Sequence, residues 1–153
     1  MENQFPDTAR SLLRHVLATL RYRADKMVRD ATPEFADFRI ADSVRTPVEI
    51  LAHIGDLFDW ALRLSRGTSQ WTEAKPLAWN EEVARFHRVL DEFDARLASD
   101  EPMAAAVERL LQGPVADALT HVGQLAMLRR LAGAPIRSEN YFKATIAPGR
   151  ATN

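Results

Sequence analysis

The sequence predicts an all-α protein, a four-helix bundle, on three observations. Apolar residues recur at three- and four-residue steps along four long segments. Proline, glycine and capping side chains stand at the ends of these segments. No stretch reads as a convincing strand. Such bundles bury one stripe of each helix and often build metal sites from side chains that face each other across the core.

The first helix is expected from Thr8 to about Ala31. Its apolar positions are Ala9, Leu12, Leu13, Val16, Leu17, Leu20, Ala24, Met27 and Val28. Asp7 can cap its start, and Pro33 lies just beyond its end. Thr32 to Arg45 has no period and reads as a loop with one short turn, packed on the bundle by Phe35, Phe38 and Ile40.

The second helix has the strongest start signal. Thr46-Pro47-Val48-Glu49 combines a threonine cap, proline at the first helical position and glutamate three residues after the cap. It runs to about Arg66, where Gly67 stops it. Its inward stripe is Ile50, Ile54, Leu57, Phe58, Ala61 and Leu62.

Residues 67–79, with Trp71, Pro76 and Trp79, form a crossover longer than a tight helical connection, so loop length leaves the topology open. The third helix is expected to start after Asn80 and end near Ser99, on a seam of Val83, Phe86, Leu90, Phe93 and Leu97. A short helix follows over about Pro102 to Leu111. Gly113-Pro114 should break the chain and open the fourth long helix, Pro114 to Leu131, which Gly133 and Pro135 end. The tail, 136–153, carries Tyr141, Phe142 and Ile146 and should lie against the bundle as part of one domain covering 1–153.

Composition narrows the chemistry. Lys and Arg total 20 against 21 Asp and Glu, a formal net charge of −1. No basic excess favours nucleic acid or an electrostatic membrane anchor. No apolar run approaches the ~18 residues of a membrane span. The first residues have neither the basic end nor the apolar stretch of a secretion signal, so a cytoplasmic protein is expected. There is no cysteine, which excludes disulfides, zinc–thiolate sites, iron–sulfur clusters and a cysteine nucleophile. Any thiol must arrive on a small molecule.

Two of the chain's four histidines point inward by their spacing. His53 lies three residues after Ile50 and four before Leu57. His121 lies three after Ala118 and four before Leu125. Asp117 sits one helical turn before His121, on the same face. Together His53, Asp117 and His121 offer two imidazoles and a carboxylate, a set suited to zinc, iron(II), nickel or manganese with positions left open. An open metal can lower the pKa of bound water or polarise a substrate oxygen. The competing reading is an internal Asp117–His121 pair, or an Asp117 that serves the positive end of its helix three residues after Pro114. His15 and His87 read as rim residues, His87 near Asp91. Asp56 and Asp59 read as exposed helix acids, with a supporting role beside His53 as the other option. Gln124 can hold a substrate or a water. Arg129 and Arg130 read as exposed charges at a helix end or as an anion site.

The chain resembles the DinB/YfiT-like metalloenzymes. The stretch from Thr46 to Leu57, with His53 and Asp56, is similar to that family's second-helix motif. His121-Val122-Gly123-Gln124 is similar to its fourth-helix His-x-Gly-Gln motif. The element order, with a long crossover between helices two and three, is alike over roughly residues 8–135. The resemblance implies an up-down-down-up four-helix bundle and a divalent metal, zinc or nickel first and iron or manganese next. It also implies a small-molecule substrate, with a low-molecular-weight thiol as cosubstrate in some relatives and hydrolysis as another outcome. In the family pattern three histidines bind the metal. His53 and His121 match two of them, and the third position falls on Asp117. Either the site survives with harder ligand character, or it has changed metal or lost affinity.

If the tail folds over the open end of the bundle, Asn140 or Tyr141 reaches the substrate. Plain packing of Tyr141 and Phe142 is the alternative. Bundles of this kind often form symmetric homodimers, and one is expected here. The rival to an enzyme is a non-catalytic module that dimerises or binds a small apolar ligand without metal. In that case Trp60, Trp71 and Trp79 matter more than the histidines.

Overall fold

In the computed structural model, which describes residues 8–149, the backbone is helical with no strand among those residues. The elements are α1 (Thr8–Val28), α2 (Pro33–Ala36), α3 (Pro47–Ser65), α4 (Trp79–Ala98), α5 (Val107–Leu110) and α6 (Ala116–Leu131). A single 3-10 turn, Tyr141–Lys143, lies in the tail. The long helices pack α3 on α4, α4 on α1, α1 on α6 and α6 on α3. No helix of the described residues is long and apolar enough to cross a membrane.

The stripes read from the sequence make the core. Leu13, Leu17, Leu20, Ala24 and Met27 of α1 share one core with Ile50, Ile54, Leu57, Phe58 and Ala61 of α3. Phe86, Leu90, Phe93 and Leu97 of α4 and Ala118, Val122, Leu125 and Leu128 of α6 complete it. Phe58 stacks at a tilt on Phe86 and Phe93, with ring centroids 6.3 and 6.4 Å apart. Leu12 departs from the expectation. It is exposed, because it lies on the edge of the α1 stripe that faces solvent.

The ends of the elements follow their local chemistry. The capping box at α3 is complete: Thr46 Oγ1 accepts from the Glu49 amide, and Glu49 Oε2 accepts from the Thr46 amide. Gly67 takes a φ of 95° after the last turn. α1 stops at Val28, short of the expected Ala31, because the chain turns left-handed at Asp30, φ 56°. Phe35 of α2 meets Trp79 edge-on, at 5.8 Å.

One boundary is a correction. Gly113-Pro114 does not break the chain. The helix runs unbroken from Val107 to Leu131 through a π-helical turn, Leu111–Val115, which contains Pro114. The wider turn accommodates a residue that has no N–H to donate. Asp117 therefore does not stand at a free helix N-terminus, and the dipole explanation for it loses its basis.

Two further expectations are revised. Arg129 is buried, not exposed. Its Nη1 donates to the carbonyls of Met27 and Arg29 at 3.3 and 3.2 Å, closing the C-terminal end of α1. Phe142 does not pack, at 96% exposure, whereas Tyr141 lies edge-on against Tyr22 of α1. Residues 150–153 of the expected tail, and Asp7 as a cap, lie outside the described residues.

Asp56 is also not an exposed helix acid. It is buried, and its Oδ1 takes a short ion pair from Arg85 of α4. Its Oδ2 accepts the Ala74 amide at 3.2 Å. Glu82, fully buried, accepts the Leu77 amide at 2.9 Å and lies 3.5 Å from Arg85 Nη1. The crossover between α3 and α4 is thus held by its backbone amides on two buried acids. Removing one partner of a buried pair strands the other charge, at a cost of roughly 3–5 kcal/mol. Asp56→Ala should therefore lower the denaturant midpoint by that equivalent and speed hydrogen exchange at the Ala74 amide. A loss under ~1 kcal/mol with the amide still protected would show that the pair holds nothing.

Candidate metal centre

α3 and α6 bring His53, Asp117 and His121 together. One candidate ligand atom from each lies within 4.8 Å of the other two. His53 Nε2 is 3.5 Å from Asp117 Oδ2, and His121 Nε2 is 3.4 Å from Asp117 Oδ1. The two imidazole rings are perpendicular, at 87°, with centroids 4.7 Å apart. Both imidazoles are largely buried, whereas the Asp117 side chain is 49% exposed.

These spacings are compatible with both readings of the trio. At 3.4 and 3.5 Å, Asp117 makes a loose ion-pair contact with each imidazole, longer than the ~2.7–3.2 Å of a well-formed N–H···O bond. Ligand atoms on one tetrahedral ion with bonds of ~2.0 Å lie about 3.3 Å apart, and these three side chains, with ligand atoms within 4.8 Å of one another, could hold such an ion.

The protonation pattern suits a metal as well. His121 Nδ1 is 2.8 Å from Gln124 Oε1, a contact that becomes a hydrogen bond in the tautomer with the proton on Nδ1, which leaves the Nε2 lone pair toward Asp117. Burial pushes the His53 imidazole below its ordinary range. The charge of Arg45 and the neighbouring His121 push the same way, and Asp117 opposes them. His53 Nδ1 is buried without a hydrogen-bond partner. A neutral ring is the form a cation requires.

The surroundings are set by two loops. Trp71 of the crossover lies edge-on to His53 at 5.8 Å and to Trp60 at 5.7 Å. Trp60 Nε1 fixes the same loop by donating to the Ser69 carbonyl at 3.1 Å. Trp79, by contrast, is core material at the start of α4. The segment before α3 separates two clefts. One, about 560 Å³, reaches His121, Gln124 and Ile50. The other, about 350 Å³, reaches His53, Glu49 and Asp56. Arg45 lines both.

The remaining candidates are scattered. Gln124, read as a substrate or water holder, has its Oε1 engaged by His121. Asn140 accepts the Phe142 amide at 3.1 Å, and Tyr141 sits under Arg23 of α1, in a different groove from His53 and His121. His87 pairs with Asp25 of α1, Nε2 to Oδ1 at 2.6 Å, and not with Asp91, which is taken by Arg21. Sequence reasoning missed Arg45, Arg85 and Glu82. Glu82 and Arg85 lie three residues apart at the start of α4, a pattern that exposed helices also show.

The chain matches no protein-family model, no curated protein and no solved structure.

The depressed His53 value has a sign. Below about pH 6.5 the unfolded chain takes up a proton that the folded ring resists. The contribution of His53 to stability is therefore complete above that pH and is lost as pH falls toward the folded value. In metal-free protein the His53 ring should titrate below ~6.5 by NMR. His53→Gln should flatten the fall in stability between neutral pH and that midpoint. A His53 midpoint above the ordinary value would overturn this account of its burial.

Proposed function

We propose that the protein is a metal-dependent enzyme of the DinB/YfiT type, with a divalent ion, zinc or nickel first, on His53, Asp117 and His121. The observation that carries the reading is the convergence of these side chains from α3 and α6 at ligand spacing. The His121–Gln124 hydrogen bond supports it by fixing the tautomer that leaves Nε2 free. A bound ion would supply Lewis acidity, holding a thiol or a water in its deprotonated form near neutral pH.

The chain's own residues have distinct tasks in this reading. The two imidazoles hold the ion in a dry wall, and Asp117 closes the solvent side. Trp71 screens His53 from water. The clefts on either side of Arg45 admit a small molecule, with a low-molecular-weight thiol as one cosubstrate class.

The up-down-down-up arrangement belongs to the same proposal. The pairings Arg14–Asp94 and Asp25–His87 support opposite directions for α1 and α4. The pairings Ala52–Arg85 and Ser65–Arg96 support a common direction for α3 and α4. A symmetric homodimer is the expected assembly.

Untagged protein, purified without added metal or chelator, should carry about one divalent ion per chain by elemental mass spectrometry. His53→Ala and His121→Ala should each lose it, while His15→Ala and His87→Ala keep it. Saturating zinc or nickel should stabilise the metal-free wild type by roughly 3 kcal/mol at a hundredfold excess over Kd, with no effect on the paired variant. Metal retained in full by both folded variants would refute the site. No metal and no reconstitution would instead favour the non-catalytic module.

Gln124→Leu keeps all three ligands but removes the acceptor for His121 Nδ1. It should weaken metal binding about 10–100-fold by competition with a chelating dye. An unchanged affinity would show that Gln124 does not orient the ring.

A further inference from the structure

A groove of about 660 Å³ runs between α1, α6 and the segment 136–141. It shares no lining residue with the clefts beside His53 and His121. Its floor is apolar, made by Met27, Val122, Ala126 and Ile136. Arg23, Arg130 and Arg137 line it as well, and none of them has a salt-bridge partner among the described residues. The one acid in the lining, Glu139, is already neutralised by Lys26 Nζ at 2.7 Å and bonded by the Tyr22 hydroxyl.

The wall is built. Lys26 Nζ donates to the Arg137 carbonyl at 3.1 Å, and Tyr141 holds the Arg23 guanidinium 3.9 Å from its ring centroid. Gly123 faces the groove from the middle of α6. A Cβ placed there meets nothing within 4 Å, so packing among the described residues does not demand a glycine. Glycine inside a helix costs stability relative to alanine, and here its effect is to leave the groove open.

We propose that this groove binds an organic anion with an apolar body, independently of the metal centre. The acid group would lie on the guanidinium edges, whose fork matches a carboxylate. The body would cover the apolar floor, where burial supplies most of the affinity. The volume falls within the range of small-molecule sites. Charge fixes the class: unpaired arginines beside an apolar surface favour an acid over a neutral or cationic ligand.

The test is isothermal titration of the full chain with decanoate, with decanol as the uncharged counterpart. Decanoate should bind once per chain with a negative heat-capacity change, and decanol at least tenfold more weakly. Arg130→Gln with Arg137→Gln, both at exposed positions, should weaken decanoate at least tenfold and reduce its salt dependence. Gly123→Phe fills the groove and should abolish binding while melting stays cooperative. His53→Ala should bind decanoate like the wild type. No saturable binding, or binding that survives Gly123→Phe, overturns the proposal. So does decanoate affinity unchanged in the arginine variant, or lost in His53→Ala, which would place the anion at the metal centre. A wild-type dimer that Gly123→Phe converts to monomer in sedimentation would assign the groove to a second copy of the chain and also end it. Should Gly123→Phe lose cooperative melting, the arginine variant decides alone.

Discussion

The Asp56–Arg85 ion pair, with Glu82 beside it, is the constraint on which the rest of the site depends. It sets the register of α3 against α4, because Arg85 also donates to the Ala52 carbonyl at 3.3 Å. Its two acids accept amides from the crossover, so the long connection becomes a fixed wall. That wall, together with the Trp60–Ser69 bond, presents Trp71 to His53. A buried charge pair of this kind adds little net stability over an apolar core. Its value here is positional: it places an irregular loop against an imidazole one turn away on the same helix.

α6 supplies the other half of the site. His121 is positioned by ordinary helical packing, with Ala118, Val122 and Leu125 buried around it. Asp117 follows two residues after the π turn, where the local register shifts to admit Pro114. The turn lets one continuous helical run carry the proline, the carboxylate and the histidine. Arg129 then locks the far end of α6 to the last carbonyls of α1. The spacing of His53, Asp117 and His121 is therefore set by two helices, each anchored by buried contacts of its own.

Much of this was legible from residue patterns. The complete capping box at Thr46 and the apolar periods of α1, α3 and α4 name their elements directly. The 3.6-residue period also put His53 and His121 inward, whereas Asp117, expected on the same inward face, is half exposed because it sits at the solvent edge of that face. What the patterns could not show were interactions between residues far apart in sequence. Asp56 looks like any helix acid until Arg85, 29 positions on, is beside it. Arg129 looks like a solvated charge at a helix end until the α1 carbonyls meet it. Gly113-Pro114 reads as a break because local propensity has no way to register a π turn, which exists by virtue of the helix continuing on both sides. Phe142 fails for the opposite reason: an aromatic in a short tail has no period to say which way it points.

If the proposed ion binds, a carboxylate at Asp117 in place of a third imidazole would alter the electrostatics of the site as well as its ligand set. Two neutral imidazoles leave a divalent ion its full charge, and a carboxylate cancels one unit of it. The ion would then polarise a bound group less strongly than one held by three histidines. Two features act against that loss. Both imidazoles are buried, so the charge that remains is poorly screened on their side. Arg45 lines both clefts, and its charge already disfavours a proton on His53. An anionic nucleophile entering either cleft would meet that guanidinium as well as the ion. The same arrangement would discriminate against cationic molecules at the entrance. In that reading the carboxylate would shift part of the work of holding an anion from the ion itself to the loop before α3, where Arg45 sits one residue ahead of the Thr46 cap.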